Sequence, residues 1–87
     1  MTQQADSDVS VMLYGKQGCH LCDDAAAIVG RVGNELGVGW SKVDIERDPA
    51  LYEQFKYRIP VIEIVGGPTL DWPTTAERVR RAVLSTR

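Results

Sequence analysis

Val9 to Tyr14 (VSVMLY) is a short run of β-branched, apolar and aromatic residues closed by Gly15, and it predicts a buried strand. Gly15 to Gly18 predicts a loop. From about Cys22 to Leu36, the apolar residues Ala25, Ile28, Val29, Val32 and Leu36 recur at helical spacing, with Gly37 as a left-handed stop. Gly30 and Gly33 each weaken such a helix by about 1 kcal/mol relative to alanine. Trp40 to Ile45 (WSKVDI) alternates and predicts a second strand. Asp48 is an N-cap with Pro49 at the first helical position, and the short helix behind it carries Leu51, Tyr52 and Phe55 on one side. Pro60 to Val65 (PVIEIV) predicts a third strand. Val65-Gly66-Gly67-Pro68 supplies the turn, and Thr69 to Asp71 returns as a short fourth strand. Thr74 and Glu77 form a T-x-x-E capping box that opens the last helix.

The predicted order is β-α-β-α-β-β-α. A strand–helix–strand unit needs a right-handed crossover and parallel strands, whereas the later hairpin is antiparallel. The simplest packing is an α/β fold with a mixed four-stranded sheet and helices on both faces. Residues 1–8 predict a polar tail, and residues 9–87 a single domain.

The composition, with 44% hydrophobic and 25% charged residues, is that of an ordinary globular protein. A net charge of −2 makes no electrostatic case for a nucleic-acid or anionic-membrane partner. Arg78, Arg80, Arg81 and Arg87 predict the solvated face of a terminal helix. No apolar stretch approaches the ~20 residues of a spanning helix. The opening MTQQADSDVS lacks the charged-then-apolar pattern of a leader, so the expectation is a cytoplasmic protein. In that compartment, two cysteines three residues apart point to catalysis or metal binding more than to a structural staple.

Cys19-His20-Leu21-Cys22 falls where a strand, a loop and a helix start meet. Residues three apart on a first helical turn share one side, and a Cα separation of about 5–6 Å suits a disulfide. The helix start offers unpaired N–H groups and the positive end of the helix dipole, which favour a thiolate. Cys19 is therefore the expected nucleophile, and Cys22, one turn inside, the resolving thiol. Two buried structural cysteines, or half of a zinc site completed by a dimer, are the alternatives; structural zinc takes four Cys or His ligands, and the chain has two Cys and one His. A protonated His20 would favour the neighbouring thiolate; otherwise it is an exposed spacer. Asp23 and Asp24 stabilise the helix start through the dipole but oppose a thiolate by like charge, and their expected role is structural.

LYGKQGCHLC, the strand ending VDIERDP and the later RIPVIEI resemble the glutaredoxin family, and more closely its small glutaredoxin-like members of unassigned substrate. The resemblance runs over about residues 9–84. It implies a thioredoxin-like fold, attack by Cys19, resolution by Cys22, and a cis Pro60 that turns the Ile59 backbone toward the sulfurs, where an extended substrate can pair with it. Lys16 matches the family lysine that pairs with a glutathione carboxylate. The acidic pair that follows Gly-Gly in glutathione-binding members is missing: Gly66-Gly67 falls in the turn, and Asp71-Trp72-Pro73-Thr74-Thr75 follows. Trp72 is expected at the groove rim or in simple packing.

The resulting expectation is a monomeric thiol–disulfide oxidoreductase that reduces protein or mixed disulfides. Its partners are a disulfide-containing protein and a reducing thiol or reductase, with no metal, no cofactor, no nucleic acid and no membrane. A metal or iron–sulfur carrier and a redox-inert binding module are the rival readings.

Overall fold

Strand β1 (Ser10–Gly15) sends Val11 and Leu13 to one face of a sheet and Tyr14 to the other. The computed structural model describes residues 9–87, so the tail expected at residues 1–8 lies outside the described residues. Helix α1 (His20–Leu36) carries the chain from β1 to β2 (Gly39–Asp44), which pairs with β1 in parallel. Helix α2 (Pro49–Phe55) then leads to β3 (Val61–Ile64) and the antiparallel β4 (Thr69–Asp71). β3 also runs antiparallel to β1, giving the strand order β2-β1-β3-β4, and α3 (Ala76–Thr86) closes the chain. This is the expected mixed four-stranded α/β arrangement.

The two faces are covered unequally. Ala25, Val29 and Val32 of α1 and Val79, Ala82 and Val83 of α3 close over Val11, Leu13, Ile62 and Ile64. Burying each of the valine, leucine and isoleucine side chains among them stabilises the fold by roughly 1.5–3 kcal/mol. On the opposite face, Phe55 of α2 joins Ile45 and Val61, with Tyr14, Leu51 and Ile59 at the margin. Arg80 ties α3 to α1 by an ion pair with Glu35 at 3.0 Å, and Arg87 donates to the Leu36 carbonyl at 2.8 Å. Part of the terminal arginine cluster therefore staples helices rather than only facing solvent.

Several boundaries differ from the sequence expectation, each for a local reason. α1 begins at His20 rather than near Cys22, because the Cys19 sulfur caps it. β2 ends at Asp44, and Ile45–Arg47 forms a short 3₁₀ turn capped by the Asp44 carboxylate. Tyr52 is exposed rather than packed with Leu51 and Phe55. The cap of α3 is Thr75, whose hydroxyl accepts from the Arg78 N–H, so the Thr74–Glu77 capping box does not form. Glu77 pairs instead with Arg80 and Arg81. Gly37 does adopt the left-handed stop, at φ 69°. Gly30 and Gly33 have a packing reason that helix propensity hides: a Cβ at Gly33 would stand 3.2 Å from the Trp40 ring and 2.8 Å from the Val38 carbonyl oxygen.

Candidate functional site

Cys19 is the N-cap of α1, with extended backbone at φ −99° and ψ 105°. Its sulfur accepts the backbone N–H of Cys22 at 3.1 Å, and its carbonyl accepts the N–H of Asp23 at 3.1 Å. A sulfur is doing what a serine or aspartate oxygen does at other helix starts. The Cα atoms of Cys19 and Cys22 are 5.1 Å apart, and the two sulfurs lie at disulfide-bonding distance. Cys19 is half-buried, whereas Cys22 is 6% exposed. The pair is thus asymmetric: one sulfur meets solvent and the helix N–H groups, and the other is packed inside.

Sequence reasoning treats Gly15 only as a strand terminator. In the fold it passes directly behind the buried sulfur, and a Cβ there would stand 2.8 Å from Cys22 Sγ. The only sequence signal was a glycine four residues before the first cysteine, which has several explanations. Continuing the β1–β3 register one step beyond the Tyr14–Val61 pair sets Gly15 against Pro60. Pro60 is buried and the Ile59–Pro60 peptide is cis, as is Trp72–Pro73. Ile59 is half-buried. The cysteine pair and the Ile59–Pro60 step therefore share one end of the sheet, flanking Gly15.

The other expected residues are placed differently. The His20 side chain is 87% exposed and lies 3.8 Å from the Asp24 carboxylate, one helical turn on. Leu21 is 47% exposed, which leaves an apolar side chain beside the cysteines. Lys16 is exposed and lines a pocket next to Cys22, on the β2 side. Trp72 is half-buried and packs against the main core with Leu70 and Ala76. Asp71 is bonded to Arg58 at 2.8 Å, which ties the segment before Pro60 to β4. Among the described residues, no group of three His, Cys, Asp or Glu side chains is arranged to hold a metal ion. No helix among them is long and apolar enough to cross a membrane.

Behind the site, on the α2 face, the Tyr14 hydroxyl donates to Glu63 at 2.6 Å, and its ring stacks on Phe55 at 4.7 Å. The hydrogen bond to Glu63, then burial, then the Glu63 charge hold the Tyr14 proton on, pushing its pKa up to about 12. This buttress fixes the residue immediately before Gly15.

Comparison with known proteins follows the same lines. The family model described as a glutaredoxin-like domain matches residues 10–84. The X-ray structure of the structural-genomics target XcR50 from X. campestris is 35% identical, with a TM-score of 0.69, covering 82% of this chain and 91% of that one. A mutant thioredoxin from Halobacterium salinarum is 17% identical with a TM-score of 0.73, covering 93% and 76% of the two chains. Chloroplastic thioredoxin z is 21% identical with a TM-score of 0.71, covering 93% and 79%. The last two show the fold. No curated protein sequence matches. The chain belongs to the glutaredoxin-like domain family and has the thioredoxin fold.

Proposed function

We propose that the chain is a thiol–disulfide oxidoreductase that reduces protein or mixed disulfides through Cys19 and Cys22. The observation that carries this reading is the Cys19 sulfur at the α1 N-cap, half-exposed and accepting the Cys22 N–H, with Cys22 buried behind it. An N–H donor and the positive end of a 17-residue helix both favour the thiolate form of Cys19.

In the proposed cycle, the Cys19 thiolate attacks one sulfur of the substrate disulfide. A Cys19–substrate disulfide forms, and the other substrate sulfur leaves as a thiolate. Cys22 then gives its proton to solvent and attacks Cys19 Sγ, releasing the second substrate sulfur. The substrate gains two electrons, and a Cys19–Cys22 disulfide remains for a reducing thiol or reductase to reopen. The Ile59 backbone beside Pro60 is the proposed platform for an extended substrate segment, and the exposed Leu21 offers it an apolar contact. Trp72 is assigned to packing. The exposed His20 is a minor influence on Cys19.

The test is a disulfide-reduction assay with dithiothreitol as electron source, run on the wild type, Cys19→Ser and Cys22→Ser. The reading expects turnover in the first and none in the second, while Cys22→Ser, mixed with substrate after dithiothreitol is removed, should hold a mixed disulfide on Cys19. Turnover that survives Cys19→Ser would overturn it.

A further inference from the structure

Glu63 stands apart from the other acids among the described residues. Asp24, Glu35, Glu53, Asp71 and Glu77 each face a basic side chain. Asp23, Asp44, Glu46 and Asp48 lie at helix or 3₁₀ starts, where backbone N–H groups and the helix dipole balance a negative charge. Glu63 has neither: it sits in the middle of β3, half-buried, on the α2 face of the sheet. The Tyr14 hydroxyl donates to one of its oxygens at 2.6 Å. A neutral donor leaves the charge unbalanced, and the second oxygen has no partner among the described residues. Glu63 also lines a cleft of about 280 Å³ between α2 and the sheet, with Tyr14 and Thr69 on the sheet side and Leu51, Gln54 and Phe55 on the helix side. The one cation in its lining, Arg58, is spent on Asp71 at 2.8 Å. The cleft is smaller than the roughly 300–1,000 Å³ of most ligand sites and suits a single extended group.

We propose that this cleft is a cation subsite that takes a primary ammonium on a short apolar stem, as a partner's lysine side chain or a free alkylamine presents it. The open Glu63 oxygen accepts one ammonium proton, and the Thr69 hydroxyl and the Gln54 carbonyl oxygen are the acceptors for the other two. Leu51, Phe55 and the Tyr14 ring, itself stacked on Phe55 at 4.7 Å, give the stem an apolar wall. An anion finds no such balance, because Asp71 already neutralises Arg58. The site does not depend on a redox role for Cys19 and Cys22.

The experiment follows the backbone amide NMR signals of Gln54, Glu63 and Thr69 in the full chain at neutral pH. The probes are n-butylammonium and Nα-acetyl-lysine methylamide, against n-butanol and against sodium chloride at matched ionic strength. We expect saturable shifts with an ammonium probe, weakened roughly tenfold or more by Glu63→Gln, which keeps an acceptor for Tyr14 but removes the charge. Gln54→Lys, a change at an exposed position of α2, places an ammonium of the protein's own at the cleft and should weaken the probes to a similar degree, so the site stays testable if Glu63→Gln does not fold. Binding of the lysine derivative alone marks a side chain of a partner polypeptide as the occupant, binding of n-butylammonium alone marks a free amine, and binding of both shows that the ammonium and its stem suffice. Shifts that n-butanol or sodium chloride reproduces, that never saturate, or that both variants keep overturn the site.

Discussion

Gly15 turns bare backbone toward the Cys22 sulfur: a Cβ at that position would come within 2.8 Å of Sγ and 3.1 Å of the cysteine Cβ. The buried sulfur fits because this strand end has no side chain on it. Inserting a methyl group into packed space costs typically about 1–3 kcal/mol. The cost is greatest where the sulfur is held by a bond to Cys19, since a free Cys22 thiol can rotate away. Gly15→Ala should therefore favour the dithiol over the disulfide and make the disulfide easier to reduce. Redox equilibration against dithiothreitol, read by alkylation and mass, measures this. An unchanged potential would show that the neighbouring backbone yields instead.

The two cysteines should titrate apart. The Cys22 N–H donates to Cys19 Sγ at 3.1 Å, so Cys19 should ionise below the free-thiol value of about 8.5 and below Cys22. Thiolate absorbance against pH in Cys22→Ser and Cys19→Ser separates them. A Cys19 thiol that ionises at or above Cys22 contradicts the assignment of nucleophile.

Stability at high pH should depend on Tyr14. Its pKa, pushed up to about 12 by the Glu63 hydrogen bond and by burial, exceeds the ordinary value of 10.0 that the unfolded chain shows. Between these values the folded protein keeps a proton that the unfolded chain has lost. The stabilisation is complete below pH 10 and disappears as pH rises through about 12. Denaturant titrations should show a fall over that window that is smaller in Tyr14→Phe. A Tyr14→Phe protein with the same alkaline slope as the wild type would exclude Tyr14 as its source.

Much of this architecture was legible because hydrophobic period, turn chemistry and the Cys-x-x-Cys spacing agreed with one another. The illegible parts were tertiary. Gly30 and Gly33 read as helix weakeners until Trp40 is seen packed against them. Thr74 reads as the cap of the last helix, whereas the neighbouring Thr75 accepts the Arg78 N–H. Cys19 was not legible as a cap, because capping rules are written for oxygen. Lys16 is remote in sequence from Lys42 and Arg47, and the pocket beside Cys22 that all three line forms only when β2 pairs with β1.

Glutathione should be a poor reductant for this protein. A tripeptide with two carboxylates and an amine needs several charged contacts in one geometry. The acidic residues expected for its amine end are replaced by Trp72 and Pro73. Trp72 packs on the core, and Asp71, the acid nearest in sequence, is already bonded to Arg58 at 2.8 Å. Freeing Asp71 would break that link. Losing one charge-assisted hydrogen bond weakens binding by roughly 1.5–3 kcal/mol, or about ten- to a hundredfold. The expected result is weak saturation by glutathione in an assay coupled to its reductase, with faster turnover from a dithiol or a protein reductant. Arg58→Ala, which releases Asp71, should lower the glutathione KM if the missing acid is the defect. Tight glutathione saturation in the wild type, lost on Lys16→Ala, would show that Lys16 and the Ile59 backbone suffice without an acid at the amine end.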